Sequence, residues 1–209
     1  MNSPIRYYGG KGNLTQYLLP LIPSHRCYCE VFGGGASLLF AKPPSRVEVY
    51  NDIDSDVVAF FRMFHDPEAF EMFKRKCYYT PYSREICFEY RNTWKEQTDP
   101  TERIYRWFCV NRMMFGGRIR DSRKGGWSCS TTQGGRLKII VDKLDEYVER
   151  LRDVQIDNRS WEVVLDVYDS PDTFFYLDPP YPVVTRTDAN AYNYEMCSVG
   201  HERLIEAVR

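Results

Sequence analysis

The sequence has 209 residues, of which 43% are hydrophobic and 15% aromatic, a composition typical of a folded globular protein. It contains no apolar run near the roughly 20 residues that cross a bilayer and no signal-peptide core, so we expect a cytoplasmic protein without a membrane partner. The net charge of −1 excludes a general attraction to polyanions, so nucleic-acid binding would require a local concentration of basic residues.

Neither the cysteines nor the histidines indicate a metal site. The cysteines are scattered, without the short paired spacings that bind zinc, and we expect reduced and mostly buried thiols. His25, His65 and His201 lie far apart in the sequence and near no acidic cluster. We therefore expect no metal and no histidine-based nucleophile triad.

The first elements along the chain form a strand-helix-strand unit. Residues 27–32 predict a strand that ends at three glycines, and residues 46–50 predict a second strand that ends at Asn51-Asp52. The short apolar run 36–41 predicts a helix that begins at the glycines and packs on the sheet. Helical periodicity rich in aromatic residues follows, from residue 55 to about residue 106.

A basic, glycine-rich stretch comes next. Its glycine pairs predict loops or hairpins, and a charge-rich helical pattern follows over residues 136–152. Two further strands are predicted at residues 153–156 and 173–177, and the second is an apolar run of the kind buried in a parallel sheet. The sequence therefore predicts a discontinuous α/β domain, residues 1–56 and 152–209, interrupted by a mainly helical insert, residues 57–151.

The strongest local signal is Asp178-Pro179-Pro180-Tyr181, directly after the last predicted strand. Ligands of open α/β sheets bind at the carboxyl ends of strands. Asp178 and the Pro179 carbonyl supply two acceptors for the N–H groups of an exocyclic amine, while the prolines restrict the chain and remove competing donors. The Tyr181 ring offers a stacking surface for an extruded base. The alternative is a rigid turn that carries a surface tyrosine.

The second signal is the turn that contains Phe32, Gly33 and Gly35. Glycines let a ligand approach the backbone, and the following helix begins where an anionic group is favoured. Asp52 follows about 20 residues later, where an acid binds ribose hydroxyls, and Ile53 is placed to cover an adenine ring. A simple helix cap is the alternative for Asp52. A nicotinamide cofactor is disfavoured because Leu38 replaces the last glycine of its binding motif.

A third group of candidates lies near the N-terminus, where Tyr7 and Lys11 flank a glycine pair. Lys11 could meet a carboxylate and Tyr7 could pack on a cofactor. The alternative is an exposed N-terminal loop.

Together these segments resemble the Dam-like family of N6-adenine DNA methyltransferases. In that family an N-terminal Gly-Gly-Lys motif precedes the glycine-rich loop, and a target-recognition insert precedes Asp-Pro-Pro-Tyr. The similarity extends from Tyr7 to Tyr181 and includes Asn111-Arg112 with the glycines after it. The resemblance implies a Rossmann-like sheet, S-adenosylmethionine as the methyl donor and double-stranded DNA as the partner.

The resemblance also implies roles for individual residues. Tyr7, Lys11, Asp52 and Asp178 would contact the cofactor, and Asp178 would also bind the target amine. The DNA-reading part would include the basic residues of the insert, namely Arg112, Arg118, Arg120, Arg123, Lys124 and Arg136. These residues could equally form a solvated face.

The end of the chain departs from the family pattern, because a family member continues past Asp-Pro-Pro-Tyr with several more helices and strands. We therefore expect the C-terminal part of the sheet to be missing, leaving a strand edge open to self-association or to a completing chain. Two other functions remain open. One is the same chemistry on RNA adenine or on cytosine N4, and the other is a catalytically inactive DNA-binding protein.

Overall fold

The computed structural model describes residues 1–117, 119, 126–129, 134–186 and 194–209, without the side chains of residues 134–136. Its described part contains a parallel sheet flanked by helices on both faces, which confirms the predicted α/β class. The strands are β1 (Cys27–Glu30), β2 (Val47–Asn51), β3 (Val154–Asp157) and β4 (Thr173–Tyr176). The α-helices are α1 (Thr15–Leu18), α2 (Ser37–Ala41), α3 (Ser55–Met63), α4 (Pro67–Tyr79), α5 (Arg84–Thr93), α6 (Pro100–Met113), α7 (Gly134–Val141), α8 (Leu144–Leu151), α9 (Trp161–Tyr168) and α10 (Ser198–Ala207).

The strand order β3-β2-β1-β4 places the carboxyl ends of all four strands along one edge. Within this sheet Glu30 at the end of β1 is in register with Tyr50 of β2 and with Tyr176 of β4. Asn51 at the end of β2 is in register with Asp157 of β3. The residues that follow these strands therefore meet at the edge where open α/β sheets bind ligands.

The two faces of the sheet have different coverings. On one face Tyr28 and Tyr50 pack into an aromatic core with α3, α4, α6 and α8, in which Phe60 stacks on Phe108 at 5.3 Å between ring centroids. On the other face Cys29 and Val49 pack against α9. Because side chains alternate along a strand, this separation follows directly from the sequence of each strand.

Several boundaries differ from the sequence prediction. Strand β1 ends at Glu30, before the predicted end at Phe32, because the chain turns there and the Gly33 N–H donates to the Asn51 carbonyl at 2.7 Å. Helix α6 continues to Met113, beyond the predicted end near Arg106. Strand β4 was predicted as a buried strand, but all four of its residues are only half-buried, because β4 lies at an edge of the described sheet.

The described residues between 57 and 151 are mainly helical. Met114 and Trp127 form an antiparallel bridge, and the Phe115 N–H donates to the Gly126 carbonyl at 3.0 Å. The predicted helix over residues 136–152 is divided into α7 and α8. Every helix in the described ranges is too short or too polar to cross a membrane.

A buried ionic cluster joins the sheet to the helices at some distance from the carboxyl edge. Glu48 of β2 lies 2.5 Å from Lys42 Nζ and 2.5 Å from Arg150 Nη1, and all three side chains are largely buried. The Arg150 Nη2 group also donates to the Leu39 carbonyl at 2.7 Å. This cluster fixes α2, β2 and α8 relative to one another.

Candidate active site

Lys11 and Asp178 meet at the carboxyl edge of the sheet. Lys11 Nζ lies 2.5 Å from Asp178 Oδ2 and 2.9 Å from the Gly9 carbonyl oxygen. The same ammonium lies 5.0 Å from the centroid of the Tyr181 ring. Burial lowers the pKa of Lys11, but the interactions with Asp178 and Tyr181 together raise it by a larger amount, so the pKa of Lys11 is above its ordinary value. Lys11 is therefore a cation at neutral pH.

Two tyrosine rings enclose the glycine turn. A Cβ atom on Gly33 would lie 2.2 Å from Cε2 of Tyr50, and one on Gly34 would lie 2.7 Å from Cε1 of Tyr7. Gly34 also has a φ of 47°, which disfavours a side chain, and its carbonyl accepts the Tyr50 hydroxyl at 2.8 Å. The sequence predicted that a ligand would approach these glycines. The structure shows that the packed rings of Tyr7 and Tyr50 also leave no room for a side chain at Gly33 or Gly34.

Asp52 is almost completely buried beneath this turn, with 7% of its surface exposed. Its Oδ2 accepts the Gly34 N–H at 2.7 Å, and its Oδ1 accepts the Asp54 N–H at 2.8 Å. Burial raises the pKa of Asp52 to about 6, against the lowering effect of these backbone bonds. The helix-cap alternative is wrong for Asp52, because α3 is capped by Asp54, whose side chain accepts the Asp56 N–H at 3.1 Å.

Glu30 is a site residue that the sequence reasoning missed. It is 1% exposed, and its Oε1 accepts the Tyr28 hydroxyl and the Leu39 N–H, both at 2.7 Å. Burial raises the pKa of Glu30 to about 7. It lines a small cavity of about 40 Å³ together with Tyr7, Lys11, Gly33, Gly35 and Asp178. An acid at the end of a strand, three residues before the first of three glycines, is the signal that could have identified it.

A larger cavity of about 230 Å³ lies on the other side of Phe32. Asn51 links two segments of the cavity wall, because its Nδ2 donates to the Val31 carbonyl at 2.9 Å and its Oδ1 accepts the Arg159 N–H at 2.8 Å. The side chains that line this cavity are mostly apolar or aromatic and include Phe32, Ile53, Trp161 and Pro180. Such a cavity can accept a flat ring.

The predicted DNA-binding residues fall into two groups. Arg112 is 8% exposed, and its Nη1 donates to the Pro4 carbonyl at 3.4 Å, so we assign it to the support of the N-terminal segment and not to a DNA surface. Arg118, Arg120, Arg123 and Lys124 lie outside the described residues, as does the side chain of Arg136.

The sequence is similar to a family of known proteins. The family of D12 class N6 adenine-specific DNA methyltransferases matches residues 7–209. The type II methyltransferase M.CviBI of Paramecium bursaria Chlorella virus NC1A is 25% identical over 209 residues, which cover 97% of this chain and 75% of the relative. The DNA adenine methylase of Vibrio cholerae serotype O1 is 23% identical over 193 residues, covering 91% of this chain and 68% of the relative.

A third relative, the type II methyltransferase M1.LlaDCHI of Lactococcus lactis subsp. cremoris, is 29% identical over 206 residues, covering 91% of this chain and 69% of the relative. The family match extends over nearly the whole chain and includes the glycine turn, Asp52 and the Asp178 segment. The chain belongs to the D12 class of N6 adenine-specific DNA methyltransferases, and it is a site-specific, adenine-specific DNA methyltransferase.

Proposed function

We propose that this enzyme transfers the methyl group of S-adenosylmethionine directly, in line, to N6 of an adenine flipped out of double-stranded DNA. The observation that carries the proposal is the meeting of Asp178 and Lys11 at the carboxyl edge, where both line the smaller cavity and Pro180 of the same segment lines the larger one. This arrangement supports a role for Asp178 towards both the methyl donor and the target amine.

The residues around the two cavities fit S-adenosylmethionine. In the smaller cavity, Lys11 would hold the carboxylate of the methionine part, and the acids Glu30 and Asp178 suit its positive groups. In the larger cavity, Phe32 and Ile53 would cover the adenine ring. Asp52 retains acceptor capacity on both carboxylate oxygens, which suits ribose hydroxyls. When bound, this molecule supplies a methyl group on a positively charged sulfur.

The Asp178 segment would hold the target base. Asp178 and the Pro179 carbonyl would accept the two N–H groups of the amine, and Pro179 and Pro180 have no N–H of their own to compete. The Tyr181 ring is 44% exposed and is available for stacking on a base. Asp178 would act as an acceptor that orients the amine, and the amine would lose its proton to water after transfer.

The basic part of the insert would contact DNA. It continues directly from the 3-10 turn Phe115–Gly117, which lies at the end of α6. Phe115 is 65% exposed in this turn, and an exposed aromatic residue close in sequence to several cationic residues is typical of nucleic-acid-binding proteins. We propose that Arg118, Arg120, Arg123, Lys124 and Arg136 bind phosphates there. The association of a second copy or another chain with the β4 edge stays a prediction.

One assay tests the reaction, the substrate and the base together. The protein is incubated with S-adenosylmethionine labelled in the methyl group and with plasmid DNA, and the product is digested to nucleosides. The label is expected in N6-methyl-2′-deoxyadenosine from the digested DNA. Label in N4-methylcytosine, or only in a parallel RNA substrate, would contradict the proposal. Cofactor and DNA binding without transfer would instead support the inactive DNA-binding alternative.

Replacing Arg118, Arg120 and Arg123 with alanine is expected to weaken DNA binding and to flatten its salt dependence. Each lost phosphate contact should lower the slope of log K against log salt by about 0.9. The slope is measured by fluorescence anisotropy between low and physiological salt. A matched control removes Arg26, Arg46 and Arg152, which precede β1, β2 and β3 at the opposite edge of the sheet. Equal slopes in the two triple variants would show that the insert residues do not contact phosphates and instead form a solvated face.

Cofactor affinity is expected to fall as the pH is lowered from 7.5 to 5.5. Glu30, with a pKa of about 7, and Asp52, with a pKa of about 6, lose negative charge in this range, whereas Lys11 stays charged because its pKa is raised. We expect the dissociation constant of S-adenosylmethionine to rise at least about threefold, because binding favours the ionised acids. Titration calorimetry of the wild type, Asp52→Asn and the surface control Asp172→Asn measures this. A pH-independent wild-type affinity would contradict the prediction.

A further inference from the structure

Asn111 connects helix α6 to the N-terminal segment by a pair of reciprocal hydrogen bonds. Its Oδ1 accepts the backbone N–H of Arg6 at 2.8 Å, and its Nδ2 donates to the carbonyl of Arg6 at 2.7 Å. The two residues are 105 positions apart in the chain, and Asn111 is only 2% exposed. A single buried amide therefore fixes both backbone polar groups of Arg6, in the manner of a strand neighbour.

The same N-terminal residue touches the turn that leads into the basic segment. Arg6 Nη1 donates to the Met114 carbonyl at 3.1 Å. A Cβ atom on Gly117 would lie 2.5 Å from the Arg6 carbonyl oxygen, and Gly117 has a φ of 71°. The turn thus packs directly on the backbone of Arg6, with no room for a side chain between them. A displacement of the turn must displace Arg6 or break these contacts.

From Arg6 the contacts continue into the cofactor site. The next residue, Tyr7, packs its ring on the glycine turn, where a Cβ on Gly34 would lie 2.7 Å from Cε1. The Tyr7 carbonyl accepts the Gly10 N–H at 3.1 Å, and Lys11 follows with its bond to Asp178. An unbroken series of short contacts therefore joins the end of α6 to the residues that line the smaller cavity.

We propose that Asn111 is a positioning residue that couples DNA binding on the insert to cofactor binding at the Tyr7 and Lys11 site. The inference rests on the proposed function. DNA that engages the basic segment holds the turn after α6, and Asn111 transfers this restraint to Arg6. The restrained Arg6 orders Tyr7 and Lys11 in the geometry that binds the cofactor. Because such coupling is reciprocal, the cofactor also strengthens DNA binding by the same factor.

The coupling is measured as a ratio of dissociation constants. S-adenosylhomocysteine serves as the probe because it lacks the transferable methyl group, and its binding is titrated with and without saturating plasmid DNA that the wild type methylates. We expect DNA to tighten probe binding at least about fivefold in the wild type. In Asn111→Ala the ratio should fall to less than about twofold, since the truncated side chain no longer holds Arg6.

Two further variants separate positioning from general destabilisation. Gly117→Ala disturbs the contact with Arg6 from the other side and should lower the ratio in the same way. Tyr147→Phe removes a hydrogen bond of 2.7 Å to the Asn2 carbonyl. This bond also holds the N-terminal segment, but at a point that does not involve Arg6, so the variant should keep the wild-type ratio. Thermal unfolding identifies any variant that is not folded.

The outcomes separate this inference from the function on which it rests. A wild type that methylates adenine but shows no coupling, or an Asn111→Ala variant that keeps the wild-type ratio, would overturn the role of Asn111 alone. A loss of coupling in Tyr147→Phe equal to that in Asn111→Ala would also overturn it. A wild type that transfers no methyl group to DNA would overturn the proposed function and this inference with it.

Discussion

Replacing Asp178 with alanine is expected to lower the rate of methyl transfer by at least about 100-fold, the scale expected when a preorganised polar group is removed from a reacting centre. The chain should remain folded. Asp178 follows β4, and its carboxylate contacts Lys11 and not the hydrophobic core. The rate is measured from incorporation of labelled methyl groups into plasmid DNA, with circular dichroism as the check of folding.

A matched control lies at the opposite end of the same strand. Asp172 directly precedes β4 and is exposed, so Asp172→Ala removes the same charge far from the carboxyl edge and should keep the wild-type rate. A folded Asp178→Ala variant with more than about a tenth of the wild-type rate would exclude the acceptor role. A similar loss in both variants would assign the effect to charge or stability.

Replacing Glu48 with glutamine is expected to lower the free energy of unfolding by about 3–5 kcal/mol at pH 7. The substitution leaves Lys42 and Arg150 as buried cations without their shared carboxylate. Urea denaturation of the two proteins measures the difference. The control is Glu149→Gln, whose exposed carboxylate lies 3.5 Å from Arg152 and should contribute less than about 1 kcal/mol. Equal decreases in the free energy of unfolding for Glu48→Gln and Glu149→Gln would show that the buried cluster stabilises the protein no more than an exposed ion pair does.

The effect of Glu48 should depend on pH in a defined direction. Burial alone would raise the pKa of Glu48, but the bonds from Arg150 and Lys42 lower it below its ordinary value of 4.5. A carboxyl group with a lowered folded-state pKa stabilises the protein above the unfolded-state pKa, and this contribution disappears as the pH falls through the folded-state value. The difference between wild type and Glu48→Gln should therefore be full at pH 7 and shrink below about pH 4.5. A constant difference down to pH 3 would contradict this.

The sequence identified the elements whose signals are local. Each predicted strand is a short run bounded by turn residues, and all four are present within one or two residues of their predicted ends. The glycine turn and the Asp178 segment also carry their signals in a few adjacent residues, and both lie at the carboxyl edge. The half-buried state of β4 was not predictable, because an apolar run does not reveal which neighbours a strand has.

The remaining features depend on contacts between distant parts of the chain. Lys11 and Asp178 are 167 residues apart, and no spacing rule connects them. Arg112 looked like one member of a basic stretch, but α6 extends past it and turns it towards Pro4 in the interior. Glu30 is an acid in a strand, and its raised pKa arises from burial by residues that periodicity does not identify. Charge and composition can be read from the sequence, whereas the burial of a residue depends on which distant parts of the chain pack against it.

The pairing of β1 with β4 joins two segments of the candidate site that are far apart in the chain. Cys27 is in register with Thr173, so β4 pairs with a strand that leaves the ribosome long before it. Lys11, Glu30 and Asp52 leave the ribosome long before Asp178, and Lys11 cannot contact the Asp178 carboxylate until β4 docks on β1. The Lys11–Asp178 pair at the carboxyl edge can therefore form only after synthesis of the chain has passed residue 178.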